Sequence, residues 1–392
     1  MEKMIYLDNA ATSFPKPPEV HEFMSAFYRT CGVNPGRSGC DMALQAEQMI
    51  HGTREKLTAF FNPSLAAAGN LPDPDRLVFT LNATHSLNLV LRGTVGPGDH
   101  VVTTTTEHNS VIRPVNHLVR LGAEATFVAP DGEGYVDPED IRAAIRPDTK
   151  LVVVNHASNV IGVVQDITAI GEVCREAGVQ FAVDAAQTAG AYPIDMAASH
   201  VTFLTFTGHK GLLGPTGTGG ICVAPGAEIA SSMWGGTGVR SAHPYHLDEF
   251  PYRLEAGTLN VMGIGGLHAG QEWLAARGVE SVHRHEIGLL ARLQDGLAEI
   301  RGITIHGSRR TDRRVATMSI TVEGFDPSDV GTMLDVDYGV LTRTGLQCAP
   351  LIHDHMGTSP RGTVRFSIGP FNTEEDIDAA VHGVERIASL RN

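Results

Sequence analysis

The sequence has few cysteines, and no two of them stand at Cys-x-x-Cys spacing. Its 392 residues include five scattered cysteines: Cys31, Cys40, Cys174, Cys222 and Cys348. This pattern argues against a disulfide framework and against a structural zinc site, because both need cysteines paired at characteristic spacings. We therefore expect a protein of the reducing cytoplasm that binds no structural metal.

Positive charge is also scarce. The chain has 30 Lys and Arg residues against 44 Asp and Glu residues, a formal net charge of -14. Nucleic-acid surfaces need clustered Lys and Arg, which this sequence lacks. The charged first ten residues do not resemble a signal peptide, and no apolar run approaches the length of a membrane span. We expect neither nucleic acid nor a membrane as a partner.

The middle of the chain alternates β-branched runs with helical patterns. Four such runs predict strands: residues 101–106, 151–154, 181–183 and 201–206. Residues 166–177 carry apolar side chains at spacings of three and four, which predicts a helix. Nearly continuous apolar strands separated by helices indicate an α/β fold with a large, mostly parallel sheet. The proline-rich residues 62–74 are predicted to form a surface loop before a strand at 77–79.

The pattern changes after Gly257, where a glycine-rich stretch leads into a second set of elements. Two helices and a strand are predicted there: residues 269–276, 282–300 and 317–321. The length is sufficient for two or three domains. We assign residues 15–260 to a large domain, and residues 1–14 and 261–392 to a smaller α/β domain.

Polar side chains follow each of the four predicted strands. They lie in residues 107–109, 155–159, 184–187 and 207–211. Ligands of open parallel sheets bind beyond the carboxyl ends of the strands. These residues are therefore the first candidates for a functional site.

Lys210 precedes a series of glycines at positions 211, 214 and 217. The simplest interpretation is an exposed lysine on a flexible loop. A nucleotide phosphate loop is excluded, because there the lysine follows the glycines. A lysine that bonds an aldehyde must lose its proton, which partly desolvated surroundings favour. Thr207 and His209 are placed to bind a phosphate.

Asp184 ends a predicted buried strand, 26 positions before Lys210. Alone, it would as readily cap a helix. Together with Lys210 it matches the carboxylate that pairs with a pyridinium nitrogen and lets the ring accept electrons. Gln187 would then reach the phenolic oxygen of the ring and His108 would stack on its face, although a lone histidine more often packs or caps.

Eight motifs occur in the order found in class V aminotransferase-fold enzymes, which bind pyridoxal phosphate (PLP). They are residues 82–88, 107–108, 158–159, 184–187, 207–210, 255–258 and 343–348, with Arg365. The resemblance spans residues 7–375, nearly the whole chain. Within this class the sequence resembles the SufS-like cysteine desulfurases and selenocysteine lyases. The resemblance implies the type I fold of PLP-dependent transferases, like that of aspartate aminotransferase.

The resemblance also implies roles for individual residues. Lys210 would hold PLP and move the α-proton of the substrate, with Asp184, Gln187 and His108 around the ring. The phosphate would be held by Thr84, Thr207 and His209, with the backbone near Ala83 helping at a helix N-terminus.

Further residues would bind the substrate or the partner subunit. Asn159 would lie beside the ring and the substrate, and Arg365 would grip the substrate carboxylate with assistance from Arg343. Thr258 would reach the phosphate of a second subunit, which implies a homodimer with shared active sites.

Cys348 distinguishes a desulfurase from other enzymes of this class. Most free cysteines are small buried hydrophobes, as Cys174 and Cys222 are expected to be. Cys348 instead lies in a loop-like stretch after Arg343, and accessible, electropositive surroundings make a thiol nucleophilic. The resemblance implies that its thiolate attacks the sulfur of L-cysteine or selenium of selenocysteine. With cysteine, Cys348 would carry a persulfide and alanine would be released.

Two residues depart from the usual family pattern, since Gln347 and Cys40 stand where histidines are common. The persulfide acceptor stays open among iron–sulfur cluster assembly, thiolation, and selenium or molybdenum-cofactor maturation. Alternative functions are an aminotransferase, a kynureninase-like lyase, an epimerase or a non-catalytic PLP-binding protein. A nicotinamide dehydrogenase lacks support, because no Gly-x-Gly-x-x-Gly turn opens the first crossover. A metal site at residues 353–355 lacks evident third and fourth ligands.

Overall fold

The computed structural model describes residues 4–36 and 39–391. Its strands are β1 (Ile5–Tyr6), β2 (Leu77–Thr80), β3 (His100–Thr104), β4 (Glu124–Val128), β5 (Thr149–Asn155), β6 (Gln180–Asp184), β7 (Phe203–Thr207), β8 (Gly219–Val223), β9 (Ile303–His306), β10 (Thr317–Val322), β11 (Val340–Leu341), β12 (Arg343–Gly345) and β13 (Thr363–Ser367). Its α-helices are α1 (Pro18–Cys31), α2 (Asp41–Phe61), α3 (Pro63–Ala67), α4 (Ala83–Thr94), α5 (Asn109–Arg120), α6 (Pro138–Ala144), α7 (Ile167–Ala177), α8 (Val261–Arg277), α9 (Val279–Ala298), α10 (Pro327–Tyr338), α11 (Pro350–His355) and α12 (Glu374–Ala388).

A seven-stranded sheet forms the centre of the larger part of the molecule. Its strand order is β2-β8-β7-β6-β5-β3-β4, with β4, β3, β5, β6 and β7 parallel. β8 runs antiparallel to both β7 and β2. The prediction of an α/β fold with a large mixed, mostly parallel sheet is confirmed. The four strands predicted from the sequence are neighbours, so their carboxyl ends meet at one edge of the sheet.

Helix α7 shows why the local sequence folds as predicted. Asp166 caps its N-terminus by accepting a hydrogen bond from the backbone N–H of Ala169. Gly178 ends it in the left-handed conformation, with φ of 66°, which glycine adopts readily. The buried residues of α7 form one apolar face against the sheet, as the spacing predicted: Ile167, Ile170, Gly171, Val173 and Cys174.

The largest differences from the predicted elements occur at two places. The expected surface loop at 62–74 includes the short helix α3, which begins at Pro63, a residue well suited to the first position of a helix. α8 begins at Val261 instead of 269. Its first two turns contain glycines that α1 needs for close approach, because a Cβ at Gly266 would lie 2.5 Å from Met24 Sδ.

A four-stranded antiparallel sheet of order β12-β13-β10-β9 forms the smaller part. Its core contains Ile5 and Leu7 of the N-terminal segment and continues from Leu289 in α9, whereas the apolar residues of α8 belong to the core of the large sheet. The boundary that we placed at residue 260 stays a prediction. Within the described residues, no helix is both long enough and apolar enough to span a membrane.

The N-terminal segment joins the two parts. β1 pairs with β11, and Asp8 bridges to Ser367 at the end of β13. A few residues later, the backbone N–H of Ser13 donates to the carbonyl oxygen of His209, beyond β7. The segment therefore runs from the smaller sheet to the edge at which the strands of the large sheet end.

Candidate active site

A cavity of about 260 Å³ lies at the carboxyl ends of β3, β5, β6 and β7. Nine residues predicted from the sequence line it: Ala83, Thr84, His108, Asn159, Asp184, Gln187, Thr207, His209 and Lys210. They come from five separate stretches of chain, which the fold brings to one site.

Lys210 follows β7, and the N-terminal segment fixes its backbone. Ser13 Oγ donates to the carbonyl oxygen of Lys210 at 2.9 Å, and Lys16 Nζ donates to that of His209 at 2.6 Å. Burial lowers the pKa of Lys210 from 10.5 to about 8, although the nearby carboxylate of Asp184 acts in the opposite direction. A neutral, nucleophilic amine is therefore available to an aldehyde near pH 8.

Asp184 ends β6 and is buried at the cavity wall. Its Oδ1 accepts a hydrogen bond from the backbone N–H of Ala186 at 2.9 Å, the one bond to this carboxylate that the described residues provide. Burial raises its pKa, while the Ala186 N–H and Lys210 lower it. A cationic N–H from a ligand would stabilise this carboxylate further.

His108 caps the N-terminus of α5. Its Nδ1 accepts the backbone N–H of Ser110 at 3.1 Å and lies 2.7 Å from Ser110 Oγ. Burial, with help from the charge of Lys210, lowers its pKa to about 4, so the ring is neutral at physiological pH. Since Nδ1 is an acceptor, the proton of the neutral ring lies on Nε2.

The N-terminus of α4 forms another side of the cavity. Asn82 caps the helix by accepting the N–H of His85, and its backbone is fully extended. The free N–H groups of the first turn and the helix dipole favour an anion here. Thr84 Oγ1 lies 2.7 Å from Ser110 Oγ, which connects this turn to the cap of α5. Thr207 and His209 complete this side.

Asn159 connects the cavity to the loop that carries Cys348. Its Nδ2 donates to the carbonyl oxygen of Gln347 at 2.7 Å, while its Oδ1 is buried without a partner. Cys348 is exposed, and its carbonyl oxygen accepts the N–H of Asn109 at 2.7 Å. The predicted nucleophile therefore lies on a loop bonded to two walls of the cavity.

Gln347 anchors this loop from the other side. Its side chain is buried, donates to the carbonyl oxygen of Thr363 at 3.0 Å, and lies 2.9 Å from Nε2 of the buried His353. This departure from the usual histidine therefore has a structural role. His353 is occupied in this contact, and no group of three potential metal ligands occurs in residues 4–36 and 39–391.

Arg365 lies in β13 and is almost fully buried. Its Nη1 donates to the carbonyl oxygen of Asn159 at 2.9 Å, and its Nη2 lies 2.5 Å from Asp8 Oδ1. Burial lowers the pKa of Arg365, and Asp8 opposes this change. Arg343 is exposed and lies directly opposite Arg365 on the neighbouring strand β12. The two predicted carboxylate-binding arginines are thus side by side.

Thr258 is the predicted site residue that lies elsewhere. It is exposed and lines a separate cavity of about 690 Å³ with residues of α2, among them Glu47 and His51. Its expected contact with a second subunit stays a prediction. Cys174 and Cys222 match their expected role, because burial raises both thiol pKa values to about 12.

The positions of the charged and polar groups around the cavity fit PLP. An anion site at the start of α4 suits the phosphate, and the available oxygen of Asp184 suits a pyridinium N–H. The buried, unpartnered Nδ1 of His209 and Oδ1 of Asn159 provide further polar atoms for a ligand. Lys210 lies on the same cavity with an amine of lowered pKa.

Sequence reasoning missed several residues that the structure places at the site. Asn82, Ser110 and Asn155 line the cavity. Asn82 and Asn155 lie in stretches that we had identified without giving them a role, and Ser110 follows the stretch 107–109 directly. Asp8 lies at the start of the span over which the resemblance extends, but it was given no role. Its pairing with Arg365 spans 357 positions, so no local pattern indicated it.

Comparison with known proteins agrees with this geometry. The family of aminotransferases of class V matches residues 5–380. A probable cysteine desulfurase of Methanothermobacter thermautotrophicus is 34% identical, covering 98% of this chain and 95% of its own. The apo cysteine desulfurase of Thermococcus onnurineus NA1 has a TM-score of 0.90 and 33% identity, over 98% of this chain and 95% of its own. The cysteine desulfurase CsdA of Escherichia coli has a TM-score of 0.87 and 28% identity, over 99% and 96%.

Enzymes of this family depend on PLP, in agreement with the cavity. Both the match across nearly the whole chain and the preserved order of the site motifs assign the family. The chain belongs to the class V aminotransferase family and, within it, to the cysteine desulfurases.

Proposed function

We propose that this enzyme converts L-cysteine to L-alanine and retains the sulfur as a persulfide on Cys348. The observation that carries the proposal is the bonding of the Cys348 loop to the cavity that Lys210 and Asp184 line, through Asn159 and the N–H of Asn109. A nucleophilic amine, a buried carboxylate and an exposed thiol thereby converge on one site.

PLP is the proposed cofactor. Lys210 would bond it, Asp184 would pair with its ring nitrogen, and His108 and Gln187 would contact the ring. The start of α4 with Thr84, Thr207 and His209 would hold the phosphate. When bound, PLP supplies an electron sink that stabilises negative charge at the α-carbon of the substrate.

Lys210 acts as the acid–base group. Because burial lowers its pKa to about 8, it can accept the α-proton near neutral pH and return a proton later. Asn159 and Arg365 orient the substrate through its carboxylate. The neutral ring of His108 contributes a flat surface without adding a positive charge beside Lys210.

Cys348 performs the sulfur transfer. Its thiolate forms an S–S bond to the sulfur of cysteine while the Cβ–S bond of cysteine breaks. The sulfur is oxidised to the persulfide level and Cβ is reduced to a methyl group after it gains a proton. No external oxidant is required, and an added thiol would later reduce the persulfide to sulfide.

We further propose a cytoplasmic homodimer that passes sulfur to an acceptor protein. Thr258 is exposed, and so are the aromatic side chains of Trp234 and Tyr245, which leaves all three available to a second subunit. The buried thiols of Cys31, Cys174 and Cys222 support a reducing compartment. Selenocysteine remains an alternative substrate, and the exposed loop of Cys348 supports desulfuration over amino-group transfer.

The test compares the wild type with Lys210→Ala and Cys348→Ala. We expect the yellow absorbance of lysine-bound PLP and equal amounts of sulfide and alanine from L-cysteine plus a reductant. Lys210→Ala should lose both products and the absorbance, and Cys348→Ala should lose sulfide but keep the absorbance. Cys174→Ala is the matched control and should retain activity. A Cys348→Ala enzyme as active as the wild type would refute the sulfur-transfer role.

A further inference from the structure

Asp8 forms an ion pair with Arg365, the arginine that is expected to bind the substrate carboxylate. Its Oδ1 lies 2.5 Å from Nη2 of Arg365, and only 4% of the arginine side chain and 14% of the aspartate side chain are exposed. A buried arginine needs such a counter-ion, because desolvation of an unpaired charge is costly. The carboxylates of Asp8 and of the substrate would therefore both pair with the guanidinium group of Arg365.

Arg365 retains unused hydrogen-bonding capacity. One Nη1 hydrogen goes to the carbonyl oxygen of Asn159, but Nε is buried without a partner. A bidentate carboxylate needs two adjacent N–H groups, and Nη2 is one member of the pair that includes Nε. A substrate carboxylate that used Nε and Nη2 would bring a second negative charge to the nitrogen that Asp8 already contacts.

Arg343 offers Asp8 a second cation. The two arginines lie directly opposite each other on antiparallel strands, so their side chains project from the same face of the sheet. No hydrogen bond or ion pair is found for the Arg343 side chain in residues 4–36 and 39–391, whereas Arg365 pairs with Asp8. Burial lowers the pKa of Arg365, and the charge of Arg343 is close enough to contribute to this change. The carboxylate of a bound substrate would balance the second of these positive charges.

We propose that Asp8 is an exchangeable counter-ion: it holds Arg365 in the free enzyme, yields it to the substrate carboxylate, and transfers to Arg343. This inference rests on the proposed function, since it assumes an amino-acid substrate. Asp8 is thereby a positioning residue for Arg365, and Arg343 acts by receiving Asp8.

The exchange needs only a side-chain rotation. The backbone around Asp8 is fixed to β13, since Ser367 N–H donates to the Leu7 carbonyl oxygen at 2.8 Å and Asn9 N–H to that of Ser367 at 3.2 Å. Asp has two side-chain torsions, and staggered rotamers of Asp interconvert without backbone movement. A ligand shifts this equilibrium only by its different affinity for the two states.

The test measures the Kd of L-alanine, the sulfur-free product, by calorimetry with the PLP-loaded enzyme. We expect Asp8→Asn to tighten binding about three- to tenfold, because a competing carboxylate is removed. Arg343→Gln should weaken binding by a similar factor in the wild-type background, and should change it little in the Asp8→Asn background. Asp312→Asn, which removes a surface carboxylate that pairs with Arg310, is the charge-matched control and should leave Kd unchanged.

Two outcomes contradict the exchange specifically. If Asp8→Asn weakens binding as Arg365→Gln does, Asp8 only orients the arginine. If Arg343→Gln changes Kd equally in both backgrounds, Asp8 and Arg343 act independently. Arg343→Gln alone also tests the proposal if Asp8→Asn folds poorly, because an unchanged Kd in the wild-type background refutes it. Failure of the wild type to bind L-alanine, with Arg365→Gln no different, would overturn the proposed function together with this inference.

Discussion

The side-chain amide of Asn159 donates a hydrogen bond to the backbone carbonyl of Gln347, with an N–O distance of 2.7 Å. This contact joins the loop after β5 to the residue that precedes Cys348. Gln347 and Cys348 both adopt positive φ values, 41° and 60°, which cost non-glycine residues on the order of 1–2 kcal/mol each. The surrounding hydrogen bonds must therefore maintain the loop conformation.

Removal of the Gln347 side chain should loosen this loop. Gln347→Ala deletes the contacts with Thr363 and His353, and we expect the free energy of unfolding to fall by about 2 kcal/mol. Persulfide formed per bound PLP should fall while PLP absorbance is retained. Gln180→Ala, which deletes two surface hydrogen bonds with Glu228, is the control. Unchanged persulfide yield in Gln347→Ala would contradict the anchoring role.

The lowered pKa of Lys210 predicts unusual reactivity in the PLP-free protein. With a pKa of about 8, about half of the amine is neutral at pH 8, whereas a lysine with a pKa of 10.5 would be about 0.3% neutral. Reductive methylation, quantified by peptide mass spectrometry, should therefore show a midpoint near pH 8 for Lys210. The exposed Lys150 in the same digest is the reference.

A substitution at Asp184 provides a second test of the pKa of Lys210. Its charge raises the pKa of Lys210, so Asp184→Asn should move the midpoint of Lys210 to lower pH. A wild-type midpoint near 10 would show that Lys210 is not desolvated as the fold implies.

The raised pKa of Glu286 predicts that the stability of the protein depends on pH. It is buried on α9, and burial raises its pKa from 4.5 to about 8. Between these values the folded protein keeps a proton that the unfolded chain has released, so this residue lowers stability as pH rises from 4.5 to 8, with no further change above 8. Glu286→Gln should stabilise the protein at pH 8 and have little effect at pH 4.5.

Thermal or denaturant unfolding at several pH values measures this effect. Glu280→Gln, on the exposed part of the same helix, should leave the pH profile unchanged. A Glu286→Gln profile that parallels the wild type would show that Glu286 ionises normally in the folded state.

The sheet and its ligand-binding edge could be predicted because the information is local. Nearly continuous apolar runs indicated the buried strands, and the polar residues directly after β3, β5, β6 and β7 indicated the edge at which the cavity lies. The start of α8 could not be predicted in this way. Its glycines lower helix propensity, and tertiary contacts account for them, among them those of Gly265 with Phe23 and of Gly266 with Met24 of α1.

The ion pair between Asp8 and Arg365 was equally hidden. The two residues are 357 positions apart and meet only because β1 and the following residues pack along the smaller sheet. The anchoring role of Gln347 was hidden for a similar reason, since its hydrogen bond to Thr363 joins the Cys348 loop to the first residue of β13. Sequence patterns predict which residues carry the chemistry, whereas the residues that position them depend on packing between distant parts of the chain.

The most direct test of the account is the location of the sulfur after one turnover. PLP-loaded enzyme is mixed with one equivalent of L-cysteine without reductant, alkylated, digested and analysed by mass spectrometry. We predict one additional sulfur atom on the peptide that contains Cys348, with one alanine formed per persulfide. Alanine formation with the extra sulfur on another cysteine, or on none, would contradict the assignment of Cys348 as the sulfur-accepting nucleophile.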